Sequence, residues 1–227
     1  MAVPPPWRIN LEPFAAVIFD MDGVLVDGEP LHFRAVNQLL APEGLSLSLE
    51  QYKPYMGTKA GWRDMAADLG LASPPDHYSE RYDELILEQY RTETRPLPGA
   101  VELVRALQRC GLPLGLCSSS RKSWVDACLD RLGLADAFNG IVTGSDVTEG
   151  KPAPDIYLLA ARTVSQPAAR CLAIEDAPAG IESATRAGMT CWAVRTEYTR
   201  GLALPPVARV LESLTDVDPC EIAGVAA

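Results

Sequence analysis

Five short apolar runs, separated for the most part by helix-patterned stretches, constrain the fold of this chain more than any other feature. They read AAVIFD (15–20), LPLGLCS (112–118), GIVTGS (140–145), CLAIED (171–176) and TCWAV (190–194). Runs of this length, bounded by turn residues, are those of buried strands. Helical periodicity lies between most of them. The segment GAVELVRALQR (99–109) places Val101, Val104, Ala106 and Leu107 on one face and stops at Gly111, a helix-ending residue. Ser123 to Leu132 repeats the scheme with Trp124, Val125, Cys128, Leu129 and Leu132, and Ser119 and Ser120 precede it as candidate N-caps. Ile156 to Thr163 and Gly180 to Ala187 are two further helices. Strands alternating with helices of about ten residues imply βαβ units: an α/β fold with a parallel sheet and helices on both faces.

One segment breaks the rhythm. From about Leu31 to Arg95 the chain carries helical patterns (LHFRAVNQLL, GWRDMAADLG, YSERYDELILEQYR) but no convincing strand, and RPLPG (95–99) interrupts the pattern with two prolines. The predicted organisation is therefore a core of residues 1–30 and 97–227 with a helical insertion at 31–96. A chain of 227 residues, 48% hydrophobic and 22% charged, can fill both. Its net charge of −10 argues against nucleic acid and anionic membrane surfaces, which are held by clustered Lys and Arg. No run approaches a membrane span, and MAVPPPWRINLEP lacks the apolar stretch of a signal peptide, so a cytoplasmic location is expected. The six cysteines show no C-x-x-C spacing and are read as reduced. A monomer or weak dimer is expected.

The strand ends carry the chemistry. Asp20 and Asp22 follow the first apolar run in FDMDG, and in extended backbone residues two apart face the same side. Alone, D-x-D-G is equally a solvated turn. After the second run, SSS (118–120) offers hydroxyls and backbone N–H groups to an anion, or simply caps a helix. Lys151 sits between Gly150 and Pro152, where a lone lysine is usually solvated. Glu175 and Asp176 end the fourth run. Adjacent acids there are hard to explain by packing and look like oxygen ligands for a hard cation.

In this order and spacing, Asp20/Asp22, Ser118, Lys151 and Glu175/Asp176 resemble the haloacid dehalogenase superfamily, more narrowly its β-phosphoglucomutase-like phosphatase branch. The signatures DMDGVLVDGEPLHFRA, GKPAPDIYLLAA and IEDAPAGIESATRAGM carry the resemblance, which covers about Ala15 to Asp216. It implies a Rossmann-like three-layer core with an inserted helical cap domain. It also implies a role for each residue. Asp20 attacks phosphorus and becomes an aspartyl phosphate, and Asp22 protonates the leaving alkoxide and later deprotonates water. Mg²⁺ is held by Asp20, the backbone carbonyl of Asp22, Asp176 and Glu175, while Ser118, the Ser119 N–H and Lys151 bind the phosphoryl group.

Asp22 separates the chain from dehalogenases and phosphonate-cleaving relatives, which lack the second aspartate. A receiver domain shares the acids, hydroxyl and lysine but is about half this length and has no cap. A non-catalytic binding protein would be expected to lose Asp20 or Asp22, and both are present. Between phosphatase and mutase, HFRA from His32 resembles the mutase, and Lys59, Arg63 and Arg81 are candidates for a second phosphate. Against it, Ala60 stands where the mutase has an arginine, and Gly28 replaces its hinge threonine. The expectation is a Mg²⁺-dependent phosphatase acting on a small phosphomonoester, a sugar or polyol phosphate, with the mutase as alternative. Glu29, His32, Lys59, Arg81, Ser120 and Lys122 are the candidate substrate contacts.

Overall fold

A computed structural model of the protein describes residues 13–55 and 61–224. Its core is a six-stranded sheet of β1 (Ala16–Phe19), β2 (Leu114–Ser118), β3 (Gly140–Thr143), β4 (Cys171–Glu175), β5 (Thr190–Val194) and β6 (Arg209–Leu211), in the order β3-β2-β1-β4-β5-β6. All neighbours are parallel. The near-continuous apolar composition of β1, β2 and β4 follows from burial on both faces. Alternate residues divide between two apolar layers: Val17 and Phe19 join Leu114, Leu116, Leu172 and Ile174 on one side, while Ala16 and Ile18 join Cys117, Ala173, Tyr157 and Ile181 on the other. This is the three-layer Rossmann-like α/β architecture expected. The sixth strand was not predicted: β6 has three residues, lies at the sheet edge and follows Pro205 and Pro206, too short a run to show a period.

The helices after α1 (Glu29–Leu40), α2 (Leu49–Tyr52), α3 (Gly61–Leu69) and α4 (Pro75–Thr92) are α5 (Ala100–Arg109), α6 (Lys122–Leu132), α7 (Asp155–Thr163), α8 (Pro178–Arg186) and α9 (Pro219–Ala223). Gly111, at φ +76, turns the chain after α5 in the left-handed conformation that glycine tolerates. The expected caps of α6 differ. Its N-cap position is Arg121, which makes no side-chain cap bond, and the Ser120 hydroxyl, one residue earlier, donates to Asp22.

Helices α1 to α4 occupy the stretch between β1 and α5, and Val36, Leu40, Leu47, Tyr52 and Met65 form an apolar cluster of their own within it. The chain leaves and re-enters the core side by side: Val26 bridges to Pro96, and the Leu97 N–H donates to the Leu25 carbonyl at 2.9 Å. Helix α4 packs on both α1 and α6. The Arg121 guanidinium, ahead of α6, pairs with Asp83 on α4. Among the described residues no helix is long and apolar enough to cross a membrane. All six cysteines are free, and four of them are buried.

Candidate active site

The sheet order reverses at β1, and that is where open α/β sheets present a crevice at their carboxyl ends. Phe19 is in register with Leu116 on one side and Ile174 on the other. Asp20, just past the end of β1, therefore stands level with Cys117 and Glu175, the last residue of β4, while β2 runs one residue further to Ser118. The Asp20 N–H still donates to the Ile174 carbonyl at 3.0 Å, so the last ladder bond fixes the base of the Asp20 side chain.

Lys151 reaches this edge from the loop between β3 and α7. Its ammonium lies 2.5 Å from Asp20 Oδ1 and 2.5 Å from Glu175 Oε1. Glu175 is further fixed by the Tyr157 hydroxyl, which donates to Oε1 at 2.9 Å, and by the backbone N–H groups of Asp176 and Ala177, which donate to Oε2. Asp20, Glu175 and Asp176 form a buried group whose carboxylate oxygens lie within 4.8 Å of one another. Asp176 approaches the backbone after Asp22 closely. A Cβ on Gly23 would stand 2.0 Å from its Oδ2, and Gly23 also has φ +82, so this position demands glycine twice over.

Three carboxylates share this pocket with one ammonium. Burial pushes the Asp20 carboxyl up to about 8, opposed by Lys151 and reinforced by Glu175. Burial, then Glu175 and Asp20, raise Asp176 well above the usual carboxylate range. Burial alone would lower the Lys151 pKa, but the Asp20 and Glu175 charges outweigh it and the ammonium is held protonated. Fully ionised, the three acids would carry two negative charges beyond what Lys151 compensates, in a cluster whose acidic groups offer only oxygen donors. That donor set and charge suit a hard divalent cation.

The Asp22 side chain is held apart from this cluster's bonds. Its Oδ1 accepts from the Tyr90 hydroxyl at 2.5 Å and its Oδ2 from the Ser120 hydroxyl at 3.1 Å. Ser118 is buried at the end of β2, where its Oγ accepts from the Ser120 N–H at 3.1 Å and keeps its own proton to donate. Ser119 is exposed beside it.

The other residues singled out in the sequence have varied surroundings. Both ring nitrogens of His32 are engaged by tyrosine hydroxyls, Nδ1 by Tyr82 at 2.6 Å and Nε2 by Tyr90 at 3.1 Å. Burial lowers its pKa, which favours the neutral ring. Glu29, at the start of α1, has one carboxylate oxygen buried without a partner. Burial and then the Asp22 charge push it up to about 7, while the Tyr52 hydroxyl pulls the other way. Arg81 and Lys122 spend their charge locally, on Glu84 at 2.6 Å and on Asp126 at 2.6 Å, both at the surface. Lys59, like Gly57 and Ala60, lies outside the described residues. Tyr90, Tyr82 and Tyr157 were not anticipated. Each sits where helical periodicity calls for an apolar side chain, and nothing in the sequence marks its hydroxyl as used.

The sequence model of the haloacid dehalogenase-like hydrolases matches residues 14–188. The chain is 31% identical over 187 residues to the fructose-1-phosphate phosphatase YqaB of Escherichia coli, a match covering 81% of this chain and 98% of YqaB. It is 36% identical over 194 residues to the chloroplastic protein Suppressor of quenching 1 of Arabidopsis thaliana, covering 83% of this chain but only 18% of that longer protein. The crystal structure of CbbY from Rhodobacter sphaeroides in complex with phosphate superposes with a TM-score of 0.81 at 29% identity, over 89% of this chain and 96% of CbbY. A mutant of that protein in complex with xylulose-1,5-bisphosphate superposes equally well, at 28% identity. Sequence and fold agree along most of the chain: it belongs to the haloacid dehalogenase-like hydrolase family.

Proposed function

We propose that this phosphomonoester hydrolase cleaves a small sugar or polyol phosphate through an aspartyl phosphate on Asp20, with Asp22 as acid and base and Mg²⁺ as cofactor. The observation that carries the reading is the pairing of Asp20 with Lys151 at the switch point of the sheet, two residues from an acid held by hydroxyls. The phosphate-bound and sugar-bisphosphate-bound CbbY structures and the fructose-1-phosphate phosphatase relative support the substrate class.

Asp20 attacks phosphorus and the bond to the leaving oxygen breaks as Asp22 gives that oxygen a proton. Water then attacks the aspartyl phosphate at phosphorus, giving its proton to Asp22, and the Asp20 carboxylate returns with release of phosphate. Lys151 lowers the repulsion between Asp20 and the incoming dianion, and Ser118 with the Ser119 N–H holds the phosphoryl oxygens. Asp20, Glu175 and Asp176, with the Asp22 backbone carbonyl, would hold Mg²⁺, which supplies the remaining positive charge opposite the phosphoryl oxygens. Helices α1 to α4 serve as the cap that selects the substrate. In it, Glu29 offers its unpartnered oxygen to a substrate hydroxyl.

The test is a panel of phosphorylated sugars and polyols with Mg²⁺, measuring released phosphate and isomerised product side by side, then repeated in excess chelator. Phosphate release that chelator abolishes and Mg²⁺ restores is the expected result. Conversion of β-glucose 1-phosphate to the 6-phosphate, dependent on a glucose bisphosphate and with little phosphate release, would make the protein a mutase.

A further inference from the structure

Tyr90 lies on α4, 68 residues beyond Asp22, and is fully buried, yet its hydroxyl ends 2.5 Å from Asp22 Oδ1. A phenol has one proton to give. Since Tyr90 gives it to Asp22, its oxygen accepts from His32 Nε2–H at 3.1 Å. The neutral imidazole then has Nδ1 as an acceptor, and the Tyr82 hydroxyl donates to it at 2.6 Å. With Asp22 ionised, these contacts order the protons from Tyr82 through His32 and Tyr90 to Asp22, and with the proton on Asp22 Oδ1 the same chain runs in reverse. Trp124 packs against all three rings, with centroids 5.9 Å from His32, 5.9 Å from Tyr82 and 6.5 Å from Tyr90.

Gly28 completes the arrangement. Its φ of −76 is open to any residue, so its backbone does not call for glycine. A Cβ there, however, would stand 1.9 Å from Asp22 Oδ1 and 3.1 Å from the Tyr90 hydroxyl. The oxygen that Tyr90 grips occupies the space a side chain at position 28 would fill.

We propose that Tyr90 is a positioning residue for Asp22, fixing its carboxyl group for proton transfer to the leaving oxygen, and that Gly28 is small so that this contact can form. The proposal rests on the reading of Asp22 as the proton donor. Because Tyr90 comes from α4 and Ser120 from the core, Asp22 is gripped on both oxygens only while α4 is seated against the sheet edge.

The test compares Tyr90→Phe, Gly28→Ala and the double variant, loaded with Mg²⁺, on an alkyl phosphate and on p-nitrophenyl phosphate, whose leaving group needs little protonation. Tyr90→Phe should lower kcat on the alkyl ester about tenfold to a hundredfold, as expected for a hydrogen bond to a charged group, with KM little changed. The phosphorylation rate on the aryl ester should fall much less. Gly28→Ala, which leaves Tyr90 and its packing in place, should show the same leaving-group pattern. The double variant should be no worse than the worse single one, because both remove one contact. Unchanged turnover of the alkyl ester by Tyr90→Phe, equal losses on both esters, or multiplying losses in the double variant would overturn the proposal. Asp22→Asn separates it from the reading beneath. If that variant is nearly silent on the alkyl ester while Tyr90→Phe is unaffected, only the positioning role fails; if Asp22→Asn stays active, both fail.

Discussion

Lys151 donates to Asp20 across 2.5 Å, and both side chains are only 9% exposed. A buried ion pair is weak evidence of stabilisation, but removing one partner leaves charge uncompensated. Here the partners left behind are two acids, Asp20 and Glu175, with Asp176 close to both. Lys151→Met should therefore reduce turnover about a hundredfold or more, as expected for loss of a charge facing the transition state. It should also make stability depend more on Mg²⁺. Thermal unfolding with and without Mg²⁺ checks this: the midpoint should rise further on Mg²⁺ addition in the variant than in the parent protein.

Asp20→Asn keeps the shape of the side chain and removes a carboxylate that burial already pushes up to about 8. Turnover should vanish while the metal-free fold is at least as stable as the parent. Residual activity above about one per cent, against the loss of many powers of ten expected for a nucleophile, would remove Asp20 from that role.

Glu29 gives a pH signature. Its carboxyl is raised from 4.5 to about 7, so the folded state holds the proton more tightly than the unfolded chain. Stability from this group is full below pH 4.5 and is lost as pH rises through about 7. Glu29→Gln removes that loss. Relative to the parent, the variant should gain up to about 3 kcal/mol between pH 4.5 and 8 in denaturant titrations. A constant difference across that range would contradict the assignment.

The pairing of Arg121 with Asp83 joins α4 to the core at its rim, with side chains 56% and 21% exposed. Exposed pairs contribute little, so Asp83→Ala should change global stability by less than about 1 kcal/mol. Its effect should be local. Hydrogen exchange of α4 amides should accelerate while that of β1 and β4 stays unchanged.

Much of this site could be read in the sequence because parallel strands end in step. Asp20, Ser118 and Glu175 each follow an apolar run, and the register of β1 with β2 and β4 brings those ends together. The local pairs Lys122–Asp126 and Arg81–Glu84 could also have been anticipated, being four and three residues apart on helices. What stayed hidden is long-range and uses residues with two natures. Tyr90 and Tyr157 satisfy an apolar periodicity with their rings, and only the fold shows where the hydroxyls end. Lys151 drew its meaning from its resemblance to a motif, since a lysine in a proline-flanked loop looks the same whether it meets water or an acid. The edge strand β6 was too brief to carry a pattern.

The bridge between Val26 and Pro96 sets the terms on which this architecture can change. The two stems of the helical segment meet at one point of the core, so the core sees an already closed loop whatever its contents. Loop-closure cost grows only with the logarithm of loop length, and a doubling adds about 0.6 kcal/mol. Helices can therefore be lengthened, exchanged or recut between those stems while the acids at the sheet edge stay in register. The place of Tyr90 against Asp22 limits that freedom, because this side chain of the segment reaches the acids' edge.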